Sequence, residues 1–250
     1  MSALNVIRQG DMVYIISDGV FCDRNGVVCD LGPNTWSLPH LPAAVGINGS
    51  PHFMPFLVNR LSRECKSFDD VPTKIAPIAL DVHISFPMTH GNFGWGDISP
   101  EFDLVAAGWS ETKRRPLSYL VTRSNRTIGS RPSAGFWEVI ELSDALIAPP
   151  VSKGTFASMG WKLPDSTQSF RPEIDSIRLL EAQRLSAVPT DHSDPDGPRG
   201  FVVGGFVLLT SISASSVSER VLHRWPDRIG RKIVPIQPAQ FDFLPSQTHE

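Results

Sequence analysis

Prolines constrain the fold of this chain more than any other residue type. The 250 residues include 22 prolines, which outnumber the 19 glycines and are spread along the whole sequence. Proline has no backbone N–H, so it breaks helix interiors and sheet ladders. We therefore expect short strands joined by many turns and interrupted helices, and we do not expect a bundle of long helices.

Short strands are predicted towards both ends of the chain. At the start, residues 3–8 and 12–17 are largely apolar and flank Gly10, which is typical of a β-hairpin. The same reasoning predicts further strands over residues 20–22, 26–29, 35–38, 43–47, 102–107, 117–122, 136–142, 201–212 and 218–225. The strand-rich pattern excludes an all-helical fold.

Three helices are predicted between these strands. One follows Pro51, a second begins at an Asp69–Asp70 cap and runs toward Ile84, and the third covers residues 173–188 with apolar side chains near one face. Residues 87–100 and 190–200 are predicted loops, and residues 123–126 a hairpin tip. No linker separates these segments, so we expect one α+β domain over residues 1–250, with a flexible tail over 240–250.

Four sequence blocks carry a resemblance to a known family. They are a strand that ends on Asp (12–19), a strand–glycine–helix junction (43–49), a hairpin whose first strand ends on Gly-Trp (102–121) and a Gly-Gly strand after a long helix (202–209). In this order and spacing they resemble proteasome-type N-terminal-nucleophile hydrolases. The resemblance implies an α+β, four-layer α-β-β-α sandwich of two antiparallel sheets flanked by helices.

The same resemblance implies catalytic roles for Ser2 and Asp18. In that family the first residue of the processed chain is the nucleophile, and its own α-amine acts as general base. Removal of Met1 would expose Ser2, which lies sixteen residues before Asp18, the separation that the family keeps. On local pattern alone, Ser2 could equally be a polar second residue and Asp18 a turn residue beside Gly19.

The supporting charge of that family is missing here. Active members carry a lysine about sixteen residues beyond the aspartate, where its positive charge lowers the pKa of the nucleophilic centre. This chain has Asn34 or Thr35 there, and Lys66 is the first of its six lysines. Arg24 is the nearest cation, in a predicted turn. Two further polar residues of active members, an aspartate and a serine near the Gly-Gly strand, are replaced in this chain by Gly200 and Val203. We therefore predict a degenerate site.

Other function classes are disfavoured by composition and motif. Net charge is −3, which does not indicate a nucleic-acid partner. The three cysteines have no Cys-x-x-Cys spacing, and the scattered histidines have no ligand spacing, so neither a metal nor another cofactor is expected. No secretory signal opens the sequence, and the uncharged stretch over 200–218 is too polar in its second half to span a membrane. We expect no membrane association and a cytoplasmic location.

Two functions remain open at this stage. The first is a non-catalytic, proteasome-like scaffold or interaction module that forms homo-oligomers. The second is an N-terminal-nucleophile peptidase or amidase that uses Ser2 after removal of Met1, with another cation such as Arg24 in place of the lysine. A peptide or small-molecule ligand in the remaining cleft is compatible with either function.

Overall fold

The structure is a computed structural model. It describes residues 2–49, 51–90, 102–122, 137–190, 194 and 196–235, with the backbone alone at 86–90. The predicted tail over 240–250, the hairpin tip at 123–126 and most of the loop over 87–100 lie outside this part of the chain.

The predicted strands and three helices occur in the expected order. The strands are β1 (Leu4–Gln9), β2 (Met12–Asp18), β3 (Phe21–Cys22), β4 (Val28–Asp30), β5 (Thr35–Ser37), β6 (Ala43–Gly49), β7 (Phe102–Ser110), β8 (Arg115–Thr122), β9 (Val139–Glu141), β10 (Ala145–Leu146), β11 (Val188–Pro189), β12 (Arg199–Gly200), β13 (Phe206–Ile212) and β14 (Val217–Arg224). The helices are α1 (Met54–Glu64), α2 (Val71–His90), α3 (Lys153–Ser158) and α4 (Pro172–Arg184), with 3-10 turns at Pro51–Phe53, Phe68–Asp70 and Thr167–Ser169. The structure thus adds the short helix α3 and the short strands β10 and β11.

Two five-stranded antiparallel sheets dominate the structure. The first sheet has the order β10-β1-β2-β13-β14, and the second has the order β5-β6-β7-β8-β9. The predicted hairpin of β1 and β2 is confirmed, with Val6 opposite Ile15. Strand β13 pairs with the other side of β2 and places Val207 opposite Asp18. The chain is thus a mixed α/β protein whose main sheets are antiparallel.

Apolar side chains form three large clusters around these sheets. One contains Leu4 and Val6 of the first sheet together with Val105 and Leu120 of the second. A second joins the second sheet to α1 and α2, and a third joins the first sheet to Leu180 of α4. Successive side chains of a strand point to opposite faces, so β1 contributes alternate residues to two of the clusters.

Helix α2 begins where predicted and ends later. It starts at Val71, directly after the Asp69–Asp70 pair, and the 3-10 turn before it (Phe68–Asp70) is capped by Ser67 with Asp70 as its capping-box partner. Its predicted end near Ile84 is wrong, because the helix continues to His90. The prolines inside α2 lower its helix propensity. Apolar contacts between its buried side, which includes Ile75, and the second sheet offset this cost.

Helix α4 and strand β13 are both shorter than predicted. The helix ends at Arg184 and not at residue 188, because Val188 pairs with Gly200 and the following proline cannot continue a helix. Ile174, predicted on the buried face, is 40% exposed. Strand β13 begins at Phe206, since Gly205 has a φ of 72° and turns the backbone just before it.

Candidate functional site

Ser2 lies two residues before the first residue of β1 and is almost completely buried. Its side chain and backbone are 2% exposed, its N–H donates to Asn48 Oδ1 at 2.9 Å, and its hydroxyl contacts the Val20 carbonyl oxygen at 3.5 Å. The next residue, Ala3, donates its N–H to Asp18 Oδ1 at 2.9 Å. The structure thus places the two sequence-predicted site residues side by side.

Asp18 ends β2 with no solvent exposure and a full set of hydrogen-bond donors. Besides Ala3, the Gly204 N–H donates to its Oδ2 at 2.9 Å, and Asn34 Nδ2 donates to its Oδ1 at 3.1 Å. Burial raises the pKa of Asp18 to about 7, although these donors act in the opposite direction. Burial therefore favours the neutral form of this carboxyl, whereas the hydrogen bonds favour the charged form.

Asn34 takes the place where the resemblance implies a lysine. It is fully buried, and its Nδ2 also donates to the Asp18 carbonyl oxygen at 2.9 Å. Thr35, the other residue in that register, faces Ser17, with 3.1 Å between the two hydroxyl oxygens. The hydrogen-bond partners of the Asp18 side chain among the described residues are all uncharged donors.

The other expected polar positions carry no supporting side chain. Gly200 pairs with Val188 in a two-stranded ladder, and Val203 lies in the apolar cluster around α4. Arg24 is exposed in the turn between β3 and β4, where its carbonyl oxygen accepts the Thr190 hydroxyl at 2.6 Å. None of the hydrogen bonds to Asp18 that the described residues make comes from Arg24.

A buried ion pair holds the segment that supplies the Gly204 amide. Arg184, at the end of α4, makes a bidentate pair with Asp227 at 2.7 Å for each contact and donates to the Val203 carbonyl oxygen at 3.0 Å. Asp227 Oδ2 also accepts the Gly205 N–H at 2.8 Å. A Cβ at Gly205 would lie 2.2 Å from the Gly19 carbonyl oxygen, so only glycine fits beside the site.

Sequence reasoning missed Asn48 and the Arg184–Asp227 pair. Asn48 had a weak signal, because it is a polar residue between the apolar Ile47 and a glycine at a strand end. Arg184 and Asp227 are 43 positions apart, and no local pattern joins them.

Metal and membrane roles gain no support from the described residues. That part of the chain holds no group of three or more His, Cys, Asp or Glu side chains placed to bind a metal ion. The thiol nearest the site, Cys22, has its pKa raised to about 12 by burial, so it stays protonated at neutral pH. No helix in the described ranges is both long and apolar enough to cross a bilayer.

Comparison with known proteins supports the fold through structure and not through sequence. No family model matches the chain, and no curated protein matches it. Among solved structures, the chain is similar to Anbu (ancestral beta-subunit) from Yersinia bercovieri, with a TM-score of 0.54 and 10% identity, over 88% of this chain and 87% of that one. At this identity the likeness concerns architecture alone. The chain therefore has a proteasome β-subunit-like fold.

Proposed function

We propose that this chain is a non-catalytic, proteasome-like protein that acts as a self-assembling scaffold or interaction module. The observation that carries the proposal is the contact of Asn34 with Asp18, 3.1 Å from Nδ2 to Oδ1, where an active relative would have a lysine. An amide can hold the carboxylate in place, but it brings no positive charge.

The missing charge bears directly on catalysis by a terminal serine. The α-amine must be neutral to take the proton of the serine hydroxyl. A nearby cation lowers the pKa of an amine, whereas a buried carboxylate raises it. Among the described residues, no cationic side chain donates to Asp18 beside Ser2, so the charge that would lower the amine pKa is missing and the hydroxyl would not be activated.

The finer architecture belongs to the same proposal. We propose that residues 1–250 form one domain in which α1 and α2, the two sheets and α4 make the four-layer α-β-β-α sandwich. The three apolar clusters support this order, because each joins a different pair of these layers. We also propose that the protein acts in the cytoplasm as a homo-oligomer. The similar solved chain is called a beta-subunit, a name for a component of an assembly.

One observation favours the alternative of an Ntn-type peptidase or amidase. Ser2 lies at the start of β1 beside Asp18, and the Ala3–Asp18 hydrogen bond holds the two in register at 2.9 Å. Such a chain would need Met1 removed and a neutral amine at Ser2. The alternative has the same residues in contact, so only chemistry can separate the two functions.

Reaction with an N-terminal-nucleophile-directed electrophile tests the proposal. The protein would be prepared to begin at Ser2, confirmed by intact mass, and incubated with the electrophile at neutral pH. We expect no adduct on Ser2 for the native sequence and an adduct for Asn34→Lys, with Asn34→Met as the uncharged variant of similar length. An adduct on Ser2 in the native sequence would overturn the non-catalytic proposal and support the amidase, whether or not the lysine variant folds.

A further inference from the structure

Asn34 carries a buried carbonyl group without a donor in the described part of the chain. Its Nδ2 donates to two acceptors, the carbonyl oxygen and Oδ1 of Asp18, and these contacts fix which end of the amide is Oδ1. Oδ1 itself has no hydrogen-bond partner among the described residues. A buried polar atom left unpaired costs about 1–3 kcal/mol, so such an atom indicates a missing donor.

A second amide carbonyl and a carboxylate surround the same stretch of chain. Asn48 Oδ1 accepts the Ser2 N–H at 2.9 Å, and Asp18 Oδ1 accepts the adjoining Ala3 N–H at 2.9 Å. Asn34 contacts that same Asp18 oxygen at 3.1 Å. The Asn48 amide oxygen and the Asp18 carboxylate thus accept the first two N–H groups before β1, and the Asn34 amide adjoins the same carboxylate through its nitrogen.

The Ser2 nitrogen changes its donor capacity when Met1 is removed. As a peptide nitrogen it offers one N–H, which goes to Asn48. As a free α-ammonium it offers three donors and a positive charge. Hydrolysis of the Met1–Ser2 bond consumes one water and releases methionine, whose new carboxylate leaves with it, while the Ser2 nitrogen remains as the ammonium.

We propose that the α-ammonium of Ser2 is the cation of this site, donating to Asn48 Oδ1 and Asn34 Oδ1 beside the Asp18 carboxylate. The inference rests on the proposed non-catalytic function and deepens it. The terminus takes over the charge role of the missing lysine, and a terminus held in this way is not a general base.

The other ionisable groups discussed around the site do not supply the cation beside Asp18. The Cys22 thiol is neutral, because burial raises its pKa to about 12. Behind Gly204, Arg184 and Asp227 neutralise each other in a bidentate pair that is 3% and 5% exposed. Asp18 has no cationic side chain as a hydrogen-bond partner among the described residues, and a positive charge at the start of the chain is one of the causes that lower its pKa.

The direct test is the pKa of the Ser2 amine in protein prepared to begin at Ser2. A ¹⁵N NMR titration would report it, and we expect at least a tenfold higher proton affinity than that of an ordinary α-amine, whose pKa is about 7.7–8.0. Asn34→Leu removes the carbonyl acceptor at similar size and should lower the amine pKa toward the ordinary value. Thr35→Val, a buried neighbour whose hydroxyl faces Ser17, is the matched control and should leave it unchanged.

A stability comparison gives a second readout that needs no variant. A folded-state amine pKa above the unfolded value adds stability that is full below about pH 7.7 and is lost as pH rises through the folded pKa. The chain that begins at Ser2 should therefore gain stability over the Met1 form at pH 7, and the gain should shrink above pH 9.

Several results would overturn the inference without touching the scaffold proposal. They are retention of Met1 in the native protein by intact mass, an ordinary or lowered amine pKa, and an amine pKa that does not change in a folded Asn34→Leu variant. In each case an unreactive Ser2 would leave the non-catalytic proposal standing. Conversely, an electrophile adduct on Ser2 would remove the proposed function on which the inference rests.

Discussion

The Asp18 side chain has no contact with solvent, so its ionisation makes the free energy of unfolding depend on pH. Burial raises its pKa from 3.8 to about 7, and the donors Gly204, Ala3 and Asn34 recover only part of the lost hydration. Between these two pH values the folded chain binds more protons than the unfolded one. Folding stability must therefore fall as pH rises through this window.

Replacing Asp18 by Asn tests this dependence. The folded-state and unfolded-state pKa values of Asp18 differ by about three units, and each unit corresponds to about 1.4 kcal/mol. The protein that keeps Met1 should therefore lose roughly 4 kcal/mol of unfolding free energy between pH 4 and pH 8 through this group. Asp18→Asn should be less stable at low pH, because its amide nitrogen faces N–H donors, but it should lack this slope. Urea unfolding at a series of pH values measures both; equal slopes in the two proteins would show that Asp18 does not titrate as described.

The sequence predicted the positions of the site residues better than their contacts. The family resemblance brought together Ser2, Asp18 and the position of Asn34. Ser2 and Asp18 lie beside or on the paired strands β1 and β2, whose register follows the hydrophobic pattern. Asn34 and Asn48 instead reach the site from the other sheet, where Asn34 precedes β5 and Asn48 lies on β6. Contacts of that kind depend on how the sheets pack, which short-range patterns do not encode.

At the scale of elements, the end of α4 is tied to the turn before β13 by Arg184 and Asp227. The pair is almost fully buried, and it holds Val203 and Gly205 on either side of the amide that binds Asp18. A buried ion pair is not strong evidence of net stability, but removal of one partner leaves an uncompensated buried charge. The pair is thus a position where a single substitution affects both the helix and the site.

Asp227→Ala should cost about 3–5 kcal/mol of unfolding free energy, because Arg184 would remain buried without its carboxylate. The matched control is Glu173→Ala, which breaks the ion pair between Glu173 of α4 and Arg220 of β14, where both side chains are 60% exposed. Such an exposed pair is worth about 1 kcal/mol or less. Chemical denaturation of the two variants compares them, and similar losses would mean that the Arg184–Asp227 pair is hydrated in solution.

The ends of elements were harder to predict than the elements themselves. Helix α2 and the central strands β6, β7 and β8 lie where the sequence places them, apart from the extension of α2 to His90. The early end of α4 depends on the pairing of Val188 with Gly200, which no local sequence pattern predicts. The start of β13 depends on a left-handed Gly205 packed against a backbone carbonyl, so a run of apolar residues was mistaken for continuous strand.

At the scale of the whole molecule, the described residues expose large apolar side chains at Leu31, Phe56, Leu80, Ile84, Ile174, Val221, Ile229 and Val234. Phe56 lies on α1 and Leu80 and Ile84 lie on α2, and the Arg60–Asp81 ion pair joins these two helices. Ile229 and Val234 lie in the segment after β14. Grouped apolar side chains at a surface mark interaction sites more often than scattered ones do. The helix pair presents the larger group, so we assign the self-association of the proposed scaffold to it.

Light scattering at micromolar concentration tests this assignment. We expect a mass that is a multiple of 27.5 kDa for the native protein and a smaller mass for Ile84→Asp, which places a charge on the helix surface. Ile229→Asp is the matched control, since the two isoleucines are 57% and 61% exposed, and it should keep the native mass. A charge at an interface must lose its hydration when the copies associate, whereas the same charge on a free surface costs little. A native mass of 27.5 kDa would contradict self-assembly itself, and an effect of Ile229→Asp alone would move the interface to the segment after β14.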